Sequence, residues 1–119
     1  LDINMGVFRT GEQMQAGLDK IRELKERYKY ISLKDKSLRY NTDLERAIET
    51  GFMIDVAEIA TLSALTRTES RGGHARRDFQ VRDDENWLKH TMAHFTSDGP
   101  KLDYIPVDIS MWKPVERKY

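Results

Sequence analysis

The 119-residue chain contains no cysteine. Disulfides, thiolate metal sites and a cysteine nucleophile are thereby excluded, and the chain fits a reducing compartment. It carries no net charge, because twenty Lys and Arg balance twenty Asp and Glu. Proteins that grip nucleic acid through its phosphates show a basic excess, so no nucleic-acid partner is expected. No apolar run approaches the roughly 20 residues that span a bilayer, so direct membrane insertion is not expected either. The opening Leu1-Asp2-Ile3-Asn4 lacks the basic-then-apolar pattern of a secretory signal, and it lacks an initiator methionine. We therefore expect a piece of a longer polypeptide. What is present suits a soluble domain: 39% hydrophobic residues and 34% charged, above the usual quarter. At this length, one domain over residues 1–119 is expected.

Periodicity places two helices. Met14, Leu18, Ile21, Leu24 and Tyr28 recur at spacings of three and four, which predicts a helix from about Thr10 to about Tyr28. Thr10 and Gln13 have capping-box spacing. A second helix is expected from about Asp43 to about Thr66, with Thr42 and Glu45 as its capping box. Between Phe52 and Leu65 its apolar residues fall on nearly every face. A helix of that kind is buried on more than one side. It needs more cover than one amphipathic partner supplies, from an upstream helix or a large partner surface. Leu1 to Phe8 reads as the stump of such an upstream helix.

Residues 67–86 mix glycines and charges without apolar periodicity and should be irregular. Trp87–Thr96 and Leu102–Ile109 read as two strands of a hairpin, turned by Ser97-Asp98-Gly99-Pro100. Pro106 favours a sheet edge or a strand end. The tail from Met111 to Tyr119 reads as extended. His90 and His94, four apart, would lie about 13 Å from one another on a strand, too far to share a metal ion.

The loop holds the most information. From Arg67 to Lys89 it contains six basic residues and five acidic ones. Such balance suits a paired network better than a phosphate trap, and arginine is the residue for bidentate carboxylate pairing. Its glycines follow a helix rather than open one after a strand, and no G-x-G-x-x-G is present, which argues against a dinucleotide loop. Composition alone leaves a solvated charged loop open. His74 has no partnered nucleophile in view and is expected to make structural hydrogen bonds.

The run Glu69-Ser70-Arg71-Gly72-Gly73-His74, then Arg76 or Arg77 with Asp78, then Arg82-Asp83-Asp84 and Trp87 with Lys89-His90-Thr91, resembles the C-terminal domain of succinate dehydrogenase and fumarate reductase flavoproteins. Gly6-Val7-Phe8-Arg9 and the ending Arg117-Lys118-Tyr119 extend the resemblance over nearly the whole chain. Gly73 departs from the pattern, where alanine is more usual. L-Aspartate oxidase shares the early part of the motif, but the hairpin and the ending here are more similar to succinate dehydrogenase.

The resemblance implies a mainly α fold: a three-helix, spectrin-repeat-like bundle with a small β-hairpin and an extended tail. It implies a parent FAD enzyme that interconverts succinate and fumarate, with an iron–sulfur subunit and membrane-anchor subunits passing electrons to quinone. The complex would sit at the cytoplasmic face of the bacterial membrane. The flavin-linking and catalytic residues would lie upstream of Leu1, so this piece alone would bind no cofactor and be inactive. Glu69, Ser70, Arg71, Gly72, Gly73, His74, Arg77, Asp78, Arg82, Asp83 and Asp84 are expected at the interface with the flavin-binding domain. The competing expectation is an independent helical interaction module.

Overall fold

The computed structural model describes residues 4–115. The chain runs β1 (Phe8–Arg9), α1 (Gly11–Tyr28), α2 (Thr42–Thr66), β2 (Ala75–Arg76), α3 (Asp84–Trp87), β3 (Lys89–His94) and β4 (Lys101–Pro106). The fold is mainly helical with a small antiparallel hairpin, as expected. Of the three helices among the described residues, α1 and α2 are long and α3 is a single turn.

The expected capping box opens α1: Thr10 Oγ1 accepts from Gln13 N, and Gln13 Oε1 accepts from Thr10 N. The stripe then turns inward, burying Met14, Leu18 and Ile21. Three cross-helix contacts fix α1 antiparallel to α2. Tyr28 donates its hydroxyl to Ala47 O at 2.9 Å, Lys25 meets Asp55 at 2.8 Å, and Arg22 meets Glu58 at 3.3 Å. Gly51 makes the first of these possible, since a Cβ there would stand 2.6 Å from the Tyr28 hydroxyl. Glu58 is buried and is held by Lys25 as well, at 2.7 Å.

Three boundaries differ from expectation. The cap of α2 is Asn41 rather than Thr42, because Asn41 Oδ1 accepts from Leu44 N at 2.8 Å and Thr42 is already helical. Trp87 ends α3 instead of opening a strand: Asp83 Oδ1 caps Glu85 N and Asn86 N, and pairing begins only at Lys89. The second strand stops at Pro106, which has no N–H for the ladder.

The stump from Leu1 to Phe8 is also corrected in its described part. Residues 4–7 form a turn and bends, and Phe8–Arg9 pair in parallel with Ala75–Arg76. Arg77 N donates to Arg9 O at 2.9 Å, so the sheet-like pairing outcompetes a helical start. The first three residues and the Arg117-Lys118-Tyr119 ending lie outside the described residues.

The hairpin pairs Lys89 with Pro106 through to His94 with Lys101. Trp87 packs edge-on against Tyr104, with centroids 5.8 Å apart, and Lys89 Nζ sits over both rings. At the turn, Gly99 takes φ +111°, a region only glycine enters readily.

The helices bury less than their composition promises. Along α2, Phe52, Met53 and Val56 stand 62–67% exposed.

Candidate functional site

α2 ends at Thr66, where Arg67 leaves the helical conformation. A helix end leaves carbonyls without partners and concentrates negative potential there. Arg76 answers both needs. Its Nη1 donates to Leu65 O at 2.9 Å and to Arg67 O at 3.1 Å. The other edge of the guanidinium grips Asp78, Nε to Oδ1 at 2.8 Å and Nη2 to Oδ2 at 2.6 Å. The same Asp78 Oδ2 accepts from Gly11 N at 2.8 Å, at the opening of α1. A cation therefore closes the C-terminus of α2 and an anion the N-terminus of α1, each sign matched to its helix end. The Arg76 guanidinium, then Gly11 N–H, hold the Asp78 carboxyl far below the usual carboxylate range against an opposing effect of burial.

Glu69 forms the second centre and is fully buried. It accepts from Arg67 Nη1 at 2.6 Å, from Arg71 Nε at 2.8 Å and Nη2 at 3.0 Å, and from Asp83 N at 2.8 Å. Burial alone would raise its pKa, but Arg71, the Asp83 amide and Arg67 together outweigh it and lower the value. Arg67 continues outward to Trp87 O at 2.8 Å and Lys89 O at 2.6 Å, tying the loop to the hairpin. Arg71 reaches Asp84 Oδ1 at 2.6 Å, and Arg82 takes Asp84 Oδ2 at 2.7 Å.

Ser70 knits the loop to itself, donating to Phe79 O at 2.7 Å and accepting from Arg76 N at 2.8 Å. Arg71 and His74 exchange both backbone hydrogen bonds around a two-residue Gly72-Gly73 turn. Gly72 needs to be glycine, with φ +56°. A Cβ on Gly73 would meet open space, so alanine would fit there. His74 Nε2 lies 3.2 Å from Arg67 O. Burial lowers its pKa, with Arg9, Arg76 and Arg67 adding to the effect and the hydrogen bond to Arg67 O opposing it, so the ring stays neutral.

The candidate residues thus separate. Glu69, Ser70, Arg71, Asp78, Asp83 and Asp84 meet in one continuous network. Arg77 stands apart, its guanidinium over the exposed Phe8 ring at 5.5 Å. Arg82 joins that network through Asp84 and also donates to Val115 O at 2.9 Å. Two residues outside the candidate set matter as much as any in it, Arg67 and Arg76. Strand alternation could have chosen Arg76 over Arg77: at i and i+2 in an extended stretch, Arg76 and Asp78 share a face. The ends of α2 could have drawn attention to Arg67 and Arg76, because a C-terminus attracts arginine. His90 and His94 occupy exposed positions on β3. Among the described residues, no group of three or more His, Cys, Asp or Glu is placed to hold a metal ion.

Chemically the arrangement is a clamp. A carboxylate with four donors and a lowered pKa stays ionised at neutral pH, unlike a general acid, which needs a proton to give.

The whole chain, residues 1–119, matches the family model described as fumarate reductase flavoprotein C-term. It is 46% identical over 115 residues to the fumarate reductase flavoprotein subunit of Haemophilus influenzae, covering 96% of this chain and 19% of that protein. It is 41% identical over 121 residues to the succinate dehydrogenase flavoprotein subunit of Rickettsia conorii, covering 95% and 20%. Among solved structures, a variant of Escherichia coli quinol fumarate reductase superposes with a TM-score of 0.92 at 42% identity, covering 97% of this chain and 20% of that one. The Mycobacterium smegmatis Sdh1 complex in its apo form superposes at 0.70 with 30% identity, covering 85% and 17%. The chain spans about a fifth of the length of the curated relatives it matches. With its motif folded into a clamp between helix ends and hairpin, the chain belongs to the C-terminal family of fumarate reductase and succinate dehydrogenase flavoprotein subunits.

Proposed function

We propose that this chain is the structural and interface domain of a larger flavoprotein subunit that interconverts succinate and fumarate with FAD. In this reading, a partner iron–sulfur subunit carries electrons to quinone, and membrane-anchor subunits hold the complex at the cytoplasmic face. No helix among the described residues is long and apolar enough to cross a membrane, which suits a peripheral place in such an assembly.

The observation that carries this reading is how the polar groups of the chain are engaged. Pyrophosphate groups bind where a helix N-terminus offers free N–H groups. Here the start of α1 gives Gly11 N–H to the Asp78 carboxylate, and the start of α2 gives Leu44 N–H to Asn41. At the start of α1 an anionic side chain already stands where a phosphate would go. That arrangement favours placing the flavin chemistry in the rest of the subunit.

The motif acts at one remove in this proposal. By closing both helix ends and fixing the hairpin, it sets the shape of the surface that the flavin-binding domain meets. Gly72, Gly73 and Arg77 are its exposed members. The test compares the full subunit with the 119-residue chain. The full subunit is expected to hold FAD and reduce fumarate, and the chain alone to do neither. Fumarate reduction by the isolated chain would sink the proposal.

A further inference from the structure

The clamp sorts its charges by side. Asp78, Asp83, Asp84 and Glu85 line one cleft, with Arg82 among them. A second cavity, of about 370 Å³, lies where the loop meets the hairpin. Arg67, Arg71 and Lys89 line it beside Trp87, Thr91 and Val107. Among the described residues no carboxylate lines this second cavity. Acidic and basic groups that share one network thus present opposite faces.

The basic side carries a surplus. Glu69 serves Arg67 and Arg71, at 2.6 and 2.8 Å, and Asp84 serves Arg71 and Arg82, at 2.6 and 2.7 Å. Three guanidinium groups therefore share two carboxylates. Asp83 does not make up the difference, because its oxygens accept from Glu85 N, Asn86 N and Asn86 Nδ2. Lys89 adds a fourth cation. Its Nζ lies 4.7 Å from the Trp87 ring centroid and 4.2 Å from that of Tyr104. Among the described residues it meets no carboxylate and no hydrogen-bond acceptor. The two rings hold the ammonium in place and leave its three N–H donors free. Four cations against two carboxylates leave a surplus of two positive charges.

Two further donors stand at the same cavity. Arg71 gives Nε and Nη2 to Glu69, Asp83 O and Asp84, and its Nη1 is taken by none of the described residues. Thr91 Oγ1 accepts from Arg67 Nη2 at 3.4 Å and keeps its own O–H to give. Trp87 and Val107 supply apolar wall, which strengthens the field of the uncompensated charges. The volume falls in the range of small-molecule pockets, roughly 300–1,000 Å³. A nucleic-acid partner would call for a basic excess over the whole chain, and the chain carries no net charge.

We propose that this cavity binds a small dianion, a dicarboxylate or a phosphate, between the Lys89 ammonium and Arg71 Nη1, with the Thr91 hydroxyl as a third donor. Two negative charges match the surplus. This site goes beyond the interface role and does not depend on it.

Lysine-selective acylation of the full subunit, read at Lys89 by peptide mass spectrometry, tests the site. Inorganic phosphate and succinate are the two probes, chloride at matched ionic strength is the control, and the exposed Lys113 is the internal reference. Lys89 is expected to label in chloride alone and to lose labelling with phosphate or with succinate, while Lys113 does not change. Which probe protects tells the phosphate source from the carboxylate one. A Lys89 that stays unlabelled in chloride would show the cavity filled by other parts of the subunit, and overturns the proposal. So does a labelled Lys89 that neither probe protects. Lys89→Met keeps an apolar stem over the rings and removes the charge. In equilibrium dialysis it should weaken binding of the protecting anion at one site about tenfold. Unchanged binding in that variant overturns the site, and if the variant does not fold, the labelling of the unaltered subunit still decides.

Discussion

Residues 67–86 and helix α2 exchange the roles their compositions assign them. The loop is rich in charge, yet it contains the fully buried Glu69 and the nearly buried Arg76. The helix is rich in apolar residues, yet Phe52 is 67% exposed. The difference teaches that burial here follows partnership rather than polarity. Each buried charge of the loop meets a donor or acceptor placed within the chain. The apolar faces of α2 meet chiefly α1, and Phe52, Met53 and Val56 stay exposed.

The sharpest break of that contrast is Glu69→Ala. It leaves Arg67 and Arg71 without their shared carboxylate in a buried place, and about 3–5 kcal/mol of stability should be lost in urea unfolding. A loss below about 1 kcal/mol would show the loop to be a solvated one. Asp78→Asn comes next. The carboxylate is a third exposed, so screening reduces its worth, and a loss of about 1–2 kcal/mol is expected.

The same variant tests the pH response. The Asp78 pKa is lower in the folded chain than in the unfolded one, so its stabilisation is complete above the unfolded value of about 4 and is lost as the pH falls. Glu69, Asp83 and Asp84 shift in the same direction. Acid unfolding should therefore begin below about pH 4 and be shallower in Asp78→Asn. His74 acts higher on the scale. It resists protonation when folded, so stability should already decline as the pH drops below about 6.5, and His74→Gln should remove that part of the slope.

Asn41→Ala removes the cap of α2 and should cost about 1 kcal/mol, with Thr42→Ala costing less. The smallest effect is expected on the bare face. Phe52→Ser should change the stability of the 119-residue chain by less than about 0.5 kcal/mol, since the ring stands in water there. In the full subunit the same change should lower the melting temperature clearly. Equal small effects in both would remove the contrast between clamp and helix.

Much of the fold was legible in advance. The α1 stripe and its capping box are local signals, and local physics delivers them: Met14, Leu18 and Ile21 at helical spacing, Thr10 and Gln13 at cap spacing. The hairpin followed from its turn chemistry and from Pro106. What escaped were competitions between near-equal local solutions. Asn41 and Thr42 both have cap-forming side chains, and only the backbone around Tyr40 decides that Asn41 reaches Leu44 N. The N-terminal segment could begin a helix or pair with Ala75–Arg76, and its partner lies more than sixty residues away in sequence. The network itself was visible as a charge balance, but its wiring was not. Arg77 and Arg76 are alike in type, and their division into exposed and buried depends on which face of β2 meets the helix ends.

By itself, then, the sequence determined the two long helices, the hairpin, the pairing habit of the loop and the excess of apolar surface on α2. Each is set by spacing along the chain, to which backbone geometry responds directly. Tertiary structure alone decided that Arg76 and Asp78 bridge the ends of two helices, and that Glu69 gathers Arg67, Arg71 and the Asp83 amide. Those outcomes depend on distances between residues remote in sequence, which no local pattern encodes.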